Sequence, residues 1–126
     1  MIRAAIIITT ISLFPSASRS DEAAERLANR FCYALQVMAV CESLTVRADT
    51  ESRIDTQLGE KVRGGLKSPF FEHCMAGIAE VDKKESNPNF CSDAWRRYGC
   101  DGTEIPRLLI ENPFTVPNAI VCEYRP

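Results

Sequence analysis

Histidine is nearly absent from this chain: His73 is the only one in 126 residues, and no two cysteines are spaced C-x-x-C. With one imidazole and no close cysteine pair, the usual structural zinc sets cannot be completed. Serine-hydrolase elbows, zinc-protease helices, phosphate loops and dinucleotide fingerprints are also lacking. No catalytic residue, metal ligand or cofactor site is therefore assigned. A basic surplus is missing too, since 15 lysines and arginines stand against 17 acids, and nucleic-acid binders carry a clearly basic face. No apolar run reaches the roughly 20 residues that a membrane-spanning helix needs.

What is present starts with a leader. Arg3 gives a short basic start, Ala4 to Phe14 are mostly apolar, Pro15 ends the run, and Ser16, Ala17, Ser18 and Ser20 are small. This pattern predicts a secretory signal peptide over residues 1–18, cleaved after Ser18, or alternatively after Ser20. Residues 19–126 are then expected to form a single exported domain, with 14 basic against 17 acidic residues. No stable membrane insertion is expected once the leader is removed.

All six cysteines, Cys32, Cys41, Cys74, Cys91, Cys100 and Cys122, follow the leader. An even count in a small exported chain predicts a disulfide framework, because its compartment oxidises thiols and a small core gains from cross-links.

Periodicity predicts helices. Over Asp21 to Val46, Leu27, Phe31, Ala34, Leu35, Met38, Cys41 and Thr45 share a stripe, with Ser20 as cap and Asp21, Glu22 and Glu25 at the positive end of the dipole. Residues 49–65 offer a narrow seam of Ile54, Leu58 and Val62, stopped by Gly64 and Gly65. Ser68–Pro69 and Asn87–Pro88 are two cap-then-proline starts. The first leads into Phe71, Cys74, Met75 and Ile78. The second leads into Phe90, Ala94 and Tyr98, with Trp95 covering the bridge of Cys91 and Gly99 as the stop. A short last helix is expected from Thr103 to Asn112, and beyond Pro113 an extended strap or a single strand. The predicted fold is thus all-α: a small disulfide-stapled bundle of four or five short helices with an extended C-terminal strap.

Helical geometry constrains the bridges. Residues nine apart on a helix lie about 13.5 Å apart along its axis and half a turn round, whereas bridged Cα atoms lie within about 7 Å. Cys32–Cys41 is excluded, Cys91–Cys100 is disfavoured, and the first helix must be contacted from two sides. Cys100–Cys122 is the preferred closure of the strap. Two arrangements then stay open: Cys32–Cys74 with Cys41–Cys91, or Cys32–Cys91 with Cys41–Cys74.

His73 and Cys74 are adjacent, so on a helix they point about 100° apart and do not form a nucleophile with its base. Recognition is better served by the segment Arg96 to Ile110, where Arg96, Arg97, Tyr98 and Arg107 surround a glycine turn, since aromatic and arginine side chains are favoured interface anchors.

Two short stretches resemble known families. Tyr98-Gly99-Cys100 with Asp101 and Gly102 resembles the calcium loop of secreted phospholipases A2. That family pairs a histidine with an aspartate in a cysteine-bearing helix, whereas here His73 is followed by Cys74, and no calcium ligands are carried over. The run from Cys74 through Gly77 to Val81, followed by Asn89-Phe90-Cys91, is similar to a segment of exported immunity proteins against type VI secreted amidases, which are small, helical and disulfide-bearing. The later part of the chain departs from that pattern, and no site residues are carried over. Together these features predict a periplasmic or secreted, non-enzymatic binding protein: an inhibitor, immunity protein or envelope-assembly partner that meets another protein. A small secreted hydrolase is the alternative, and a chaperone-like or host-directed protein a further one.

Overall fold

The computed structural model describes residues 19–62 and 65–123. The expected leader over residues 1–18 lies outside them, as does Gly64. Among the described residues the chain is mostly helical, with four helices, two short strands and three disulfides: α1 (Arg19–Val40), β1 (Leu44–Val46), α2 (Ala48–Leu58), α3 (Phe71–Lys84), α4 (Phe90–Tyr98) and β2 (Leu109–Glu111). None of the described helices is long and apolar enough to cross a membrane.

α1 is the central element and touches α2, α3, α4 and β1. Its buried face, Ala28, Phe31, Cys32, Tyr33, Ala34 and Val37, is wider than one amphipathic stripe because neighbours approach from two sides. The closest approach is to α3. A Cβ at Gly77 would overlap the Asn29 carbonyl oxygen and lie 3.1 Å from the Tyr33 amide nitrogen. Ser20 lies within this helix and does not cap it.

α1 ends at Val40, earlier than its periodicity predicts. The Cys41 N–H still donates to the Val37 carbonyl at 2.8 Å, and the Leu44 N–H then donates to the Cys41 carbonyl at 3.0 Å, turning the chain. β-branched Thr45 and Val46 suit a strand. β1 pairs antiparallel with β2, setting Leu44 opposite Glu111, Thr45 opposite Ile110 and Val46 opposite Leu109. The fold is therefore not all-α, and the buried Leu44 and Leu109 show why: strand pairing places both in the core.

α2 also stops early, at Gly59 rather than at Gly64 and Gly65. Gly59 takes φ 76°, its N–H donates to the Thr56 carbonyl, and the Glu60 N–H donates to the Asp55 carbonyl. That pair of bonds closes a helix through a left-handed residue, which glycine adopts at least cost.

The two proline signals lie in turns just ahead of the helices and not at their first positions: the N-caps are Phe70 and Asn89, not Ser68 and Asn87, because the serine and asparagine side chains close the preceding turns instead. Ser68 Oγ accepts the Phe70 N–H at 3.1 Å and Asn87 Oδ1 accepts the Asn89 N–H at 2.9 Å. α3 begins at Phe71 and α4 at Phe90.

No helix forms over Thr103 to Asn112. The donors of this segment go to the carbonyls that α4 leaves unpaired at its end: the Glu104 N–H to Arg97 at 2.9 Å, the Arg107 N–H to Gly99 at 2.6 Å and the Leu108 N–H to Tyr98 at 3.1 Å. Helix ends need such partners, and folding back also buries Leu108 and Leu109. The bridges are Cys32–Cys74, Cys41–Cys91 and Cys100–Cys122, with Cα separations of 5.0, 5.9 and 5.4 Å. Each contributes about 2–4 kcal/mol, chiefly by restricting the unfolded chain.

Candidate interaction face around Trp95

α4 presents two sides. Phe90, Ala94 and Tyr98 point into the core, and Trp95 lies half-buried on another side, lining the same depression as Cys91. The indole can lie against the helix end because residue 99 is glycine: a Cβ there would stand 2.8 Å from Trp95 Cδ2.

Two shallow depressions meet at Trp95 and Ile120. One, of about 240 Å³, runs towards Ser43, Leu44, Cys91 and Glu111. The other, of about 390 Å³, runs towards Arg96, Cys100 and Asp101. The tail supplies further apolar surface, with Phe114 97% exposed, Ile120 54% and Val121 46%.

This tail has no regular secondary structure from residue 112 to 123, yet it is fastened along its length. The Asn112 N–H donates to the Ser43 carbonyl at 2.8 Å. Thr115 Oγ1 donates to the Glu42 carbonyl at 3.0 Å. Arg47 Nη1 donates to the carbonyls of Val121 and Cys122 at 3.2 and 3.3 Å. Cys122, at φ 60°, is bridged to Cys100. Exposed apolar side chains held on a cross-linked backbone lose little freedom on binding, which favours association.

The residues expected as an interaction surface divide between this face and the core. Arg96 is exposed, 2.5 Å from Asp93, and lines the depression beside Trp95. Arg107 adopts φ 57° and lines an adjoining cavity of about 220 Å³ that shares Cys100 and Asp101 with it. Arg97 instead packs inward, with only 12% of its side chain exposed and its guanidinium 4.9 Å from the Tyr33 ring and 5.3 Å from the Tyr98 ring. Tyr98 is fully buried. Burial pushes its hydroxyl up to about 12, although the Arg97 and Arg30 charges pull the other way. Arg97 and Tyr98 thus belong to the interior, Arg96 stands on the face, and Arg107 lines only the adjoining cavity.

Ile120 and Phe114 were not singled out by sequence reasoning. The signal for Ile120 is the apolar run Ala119 to Cys122 after two prolines, which reads equally well as a segment that covers a core, and Phe114 has none.

His73 lies on α3 and lines neither depression of the Trp95 face. Its Nε2 is 3.5 Å from Glu25 Oε2, both side chains are exposed, and the depression they share is lined by Glu22, Arg26, Asn29 and Arg30, with no hydroxyl or thiol. Nearby, Glu80 binds Arg30 and also Lys84 at 2.7 Å. Burial would raise the Glu80 carboxyl, but these two cations outweigh it and hold it at about 2. Among the described residues no group of three or more His, Cys, Asp or Glu side chains is arranged to hold a metal ion. Compared with protein-family models, curated proteins and solved structures, the chain finds no match, so its function rests on the geometry of its own surface.

Proposed function

We propose that this chain is a small exported binding protein, acting as an inhibitor, immunity protein or envelope-assembly partner, and that another protein seats on the Trp95 face. The observation that carries this reading is the meeting of two depressions at Trp95 and Ile120, beside an almost fully exposed Phe114 on a fastened tail. Tryptophan and arginine in such settings carry a large share of interface energy. Three disulfides are compatible with an oxidising compartment, and we assign the chain to the periplasm or the exterior of the cell.

The test is capture of envelope proteins by the immobilised, fully bridged chain and by a Trp95→Ala, Phe114→Ser variant. A protein held by the parent should be lost from the variant, since removing a tryptophan anchor costs about 2 kcal/mol or more. Equal retention by a variant with all bridges intact would remove the basis for this face.

A second reading, a small secreted hydrolase, is favoured by one observation, the contact of His73 with Glu25. It would use the imidazole as a general base on bound water, because the depression offers no hydroxyl or thiol among the described residues.

A further inference from the structure

On the other side of α4 lies a different cavity. It has a volume of about 620 Å³ and opens between the end of α3 and the start of α4, lined by Tyr33, Lys83, Lys84, Asn87, Asn89 and Phe90 among others. That size is in the range of small-molecule pockets, roughly 300–1,000 Å³.

Its floor carries an unusual tyrosine. Tyr33 is 1% exposed, and what remains accessible opens onto this cleft. Its ring is flanked by two guanidinium groups, Arg30 at 5.1 Å and Arg97 at 4.9 Å. Its hydroxyl makes no hydrogen bond among the described residues. Among the described residues the buried side-chain atoms without a partner are the Tyr98 hydroxyl and Arg107 Nε; the Tyr33 hydroxyl is not one of them, so it reaches the cleft surface and is free to donate to a bound group.

The surroundings say which kind of group would complete it. Lys83 is exposed at the rim and enters no ion pair among the described residues. Lys84 stands beside it, shared with Glu80. The amino end of α4 closes the opposite wall, where a helix dipole favours negative charge. The one acid in the lining, Asp93, is already engaged by Arg96 at 2.5 Å and Arg97 at 3.8 Å.

We propose that this cleft binds a small organic oxyanion, a carboxylate or a phosphate ester. Tyr33 donates its hydroxyl to one oxygen, Lys83 supplies charge from the rim, and the body of the ligand lies against Phe90. The site stands apart from the Trp95 face, because Asn89, Phe90 and Asp93 line it whereas Cys91, Ser92 and Trp95 line the other. It does not rest on the proposed protein partner.

The experiment titrates the isotopically labelled, fully bridged chain with succinate and, separately, with inorganic phosphate at constant ionic strength, following amide shifts from Lys83 to Asp93. One of the two should give saturable shifts, and which one does identifies the anion as carboxylate or phosphate. Tyr33→Phe and Lys83→Gln should each weaken that binding about tenfold, the worth of one charge-assisted hydrogen bond. Absence of saturation with both anions, or unchanged affinity in either variant, overturns the proposal. Should Tyr33→Phe fail to fold, Lys83→Gln decides alone, since its side chain is exposed.

Discussion

Glu111 and Ile120 are joined twice. The Glu111 N–H donates to the Ile120 carbonyl at 2.9 Å, and the Ile120 N–H donates to Glu111 Oε1 at 2.9 Å. One of these bonds is backbone to backbone and survives any side-chain change. The other depends on the carboxylate. Glu111→Ala is therefore expected to expose the Ile120 amide to hydrogen exchange while Glu111→Gln, which keeps an acceptor oxygen, protects it. The cost to global stability should be only about 1–2 kcal/mol. Equal exchange in both variants would mean that the side-chain bond does not hold the tail.

Gly77 is where α3 meets α1 most closely, and a methyl group there has no room beside the Asn29 carbonyl. Gly77→Ala would normally favour a helix by about 1 kcal/mol. Here overpacking against backbone should reverse the sign and destabilise by roughly 1–3 kcal/mol. Urea unfolding with all bridges kept oxidised measures it, and a stabilised variant would contradict the packing.

Glu80 sets an acid limit. Its carboxyl is held at about 2 in the fold against an ordinary 4.5, so the unfolded chain binds the proton first as pH falls. The stability contributed by its bonds to Arg30 and Lys84 is full above about pH 4.5 and lost as pH falls towards 2, at most about 3 kcal/mol. Unfolding free energy measured across this window should flatten in Glu80→Gln. A parent and variant with parallel pH curves would show that another carboxylate governs the acid transition.

His73 separates the two functional readings. His73→Gln should leave partner capture and biological effect essentially unchanged if the chain is a binder. For an enzyme using this imidazole as general base, the activity should drop by about 10²–10⁴-fold. Loss of effect in a folded His73→Gln variant would favour the hydrolase.

The parts of the fold that sequence exposed are those fixed by local chemistry. Ser68–Pro69 and Asn87–Pro88 mark the starts of α3 and α4, Gly99 follows the last residue of α4, and helical geometry alone separates Cys32 from Cys41. What stayed hidden depends on partners distant in sequence. Thr45 ends a helical stripe in the sequence, yet it and Val46 form a strand where Ile110 and Leu109 meet them. The segment after Thr103 has a helix-like pattern, but the open carbonyls of α4 take its donors. The site divides in the same way: Arg96 is legible as an exposed arginine and Tyr98 as the end of the Phe90–Ala94–Tyr98 seam, whereas the burial of Arg97 follows from Tyr33 of α1 packing against it, which no local pattern announces.

The route by which the bridges form follows from α1. In an unfolded chain Cys32 and Cys41 are near neighbours and free to oxidise each other, a pairing that would have to be undone before the native set could assemble. Once α1 has wound, the two thiols face different directions and can no longer meet each other. Two of the three native bridges are interleaved along the chain, Cys32–Cys74 with Cys41–Cys91, while Cys100–Cys122 closes a separate loop. A Cys32–Cys41 bond and a wound α1 therefore exclude each other, and a chain that has made that bond must exchange it before the native set can form.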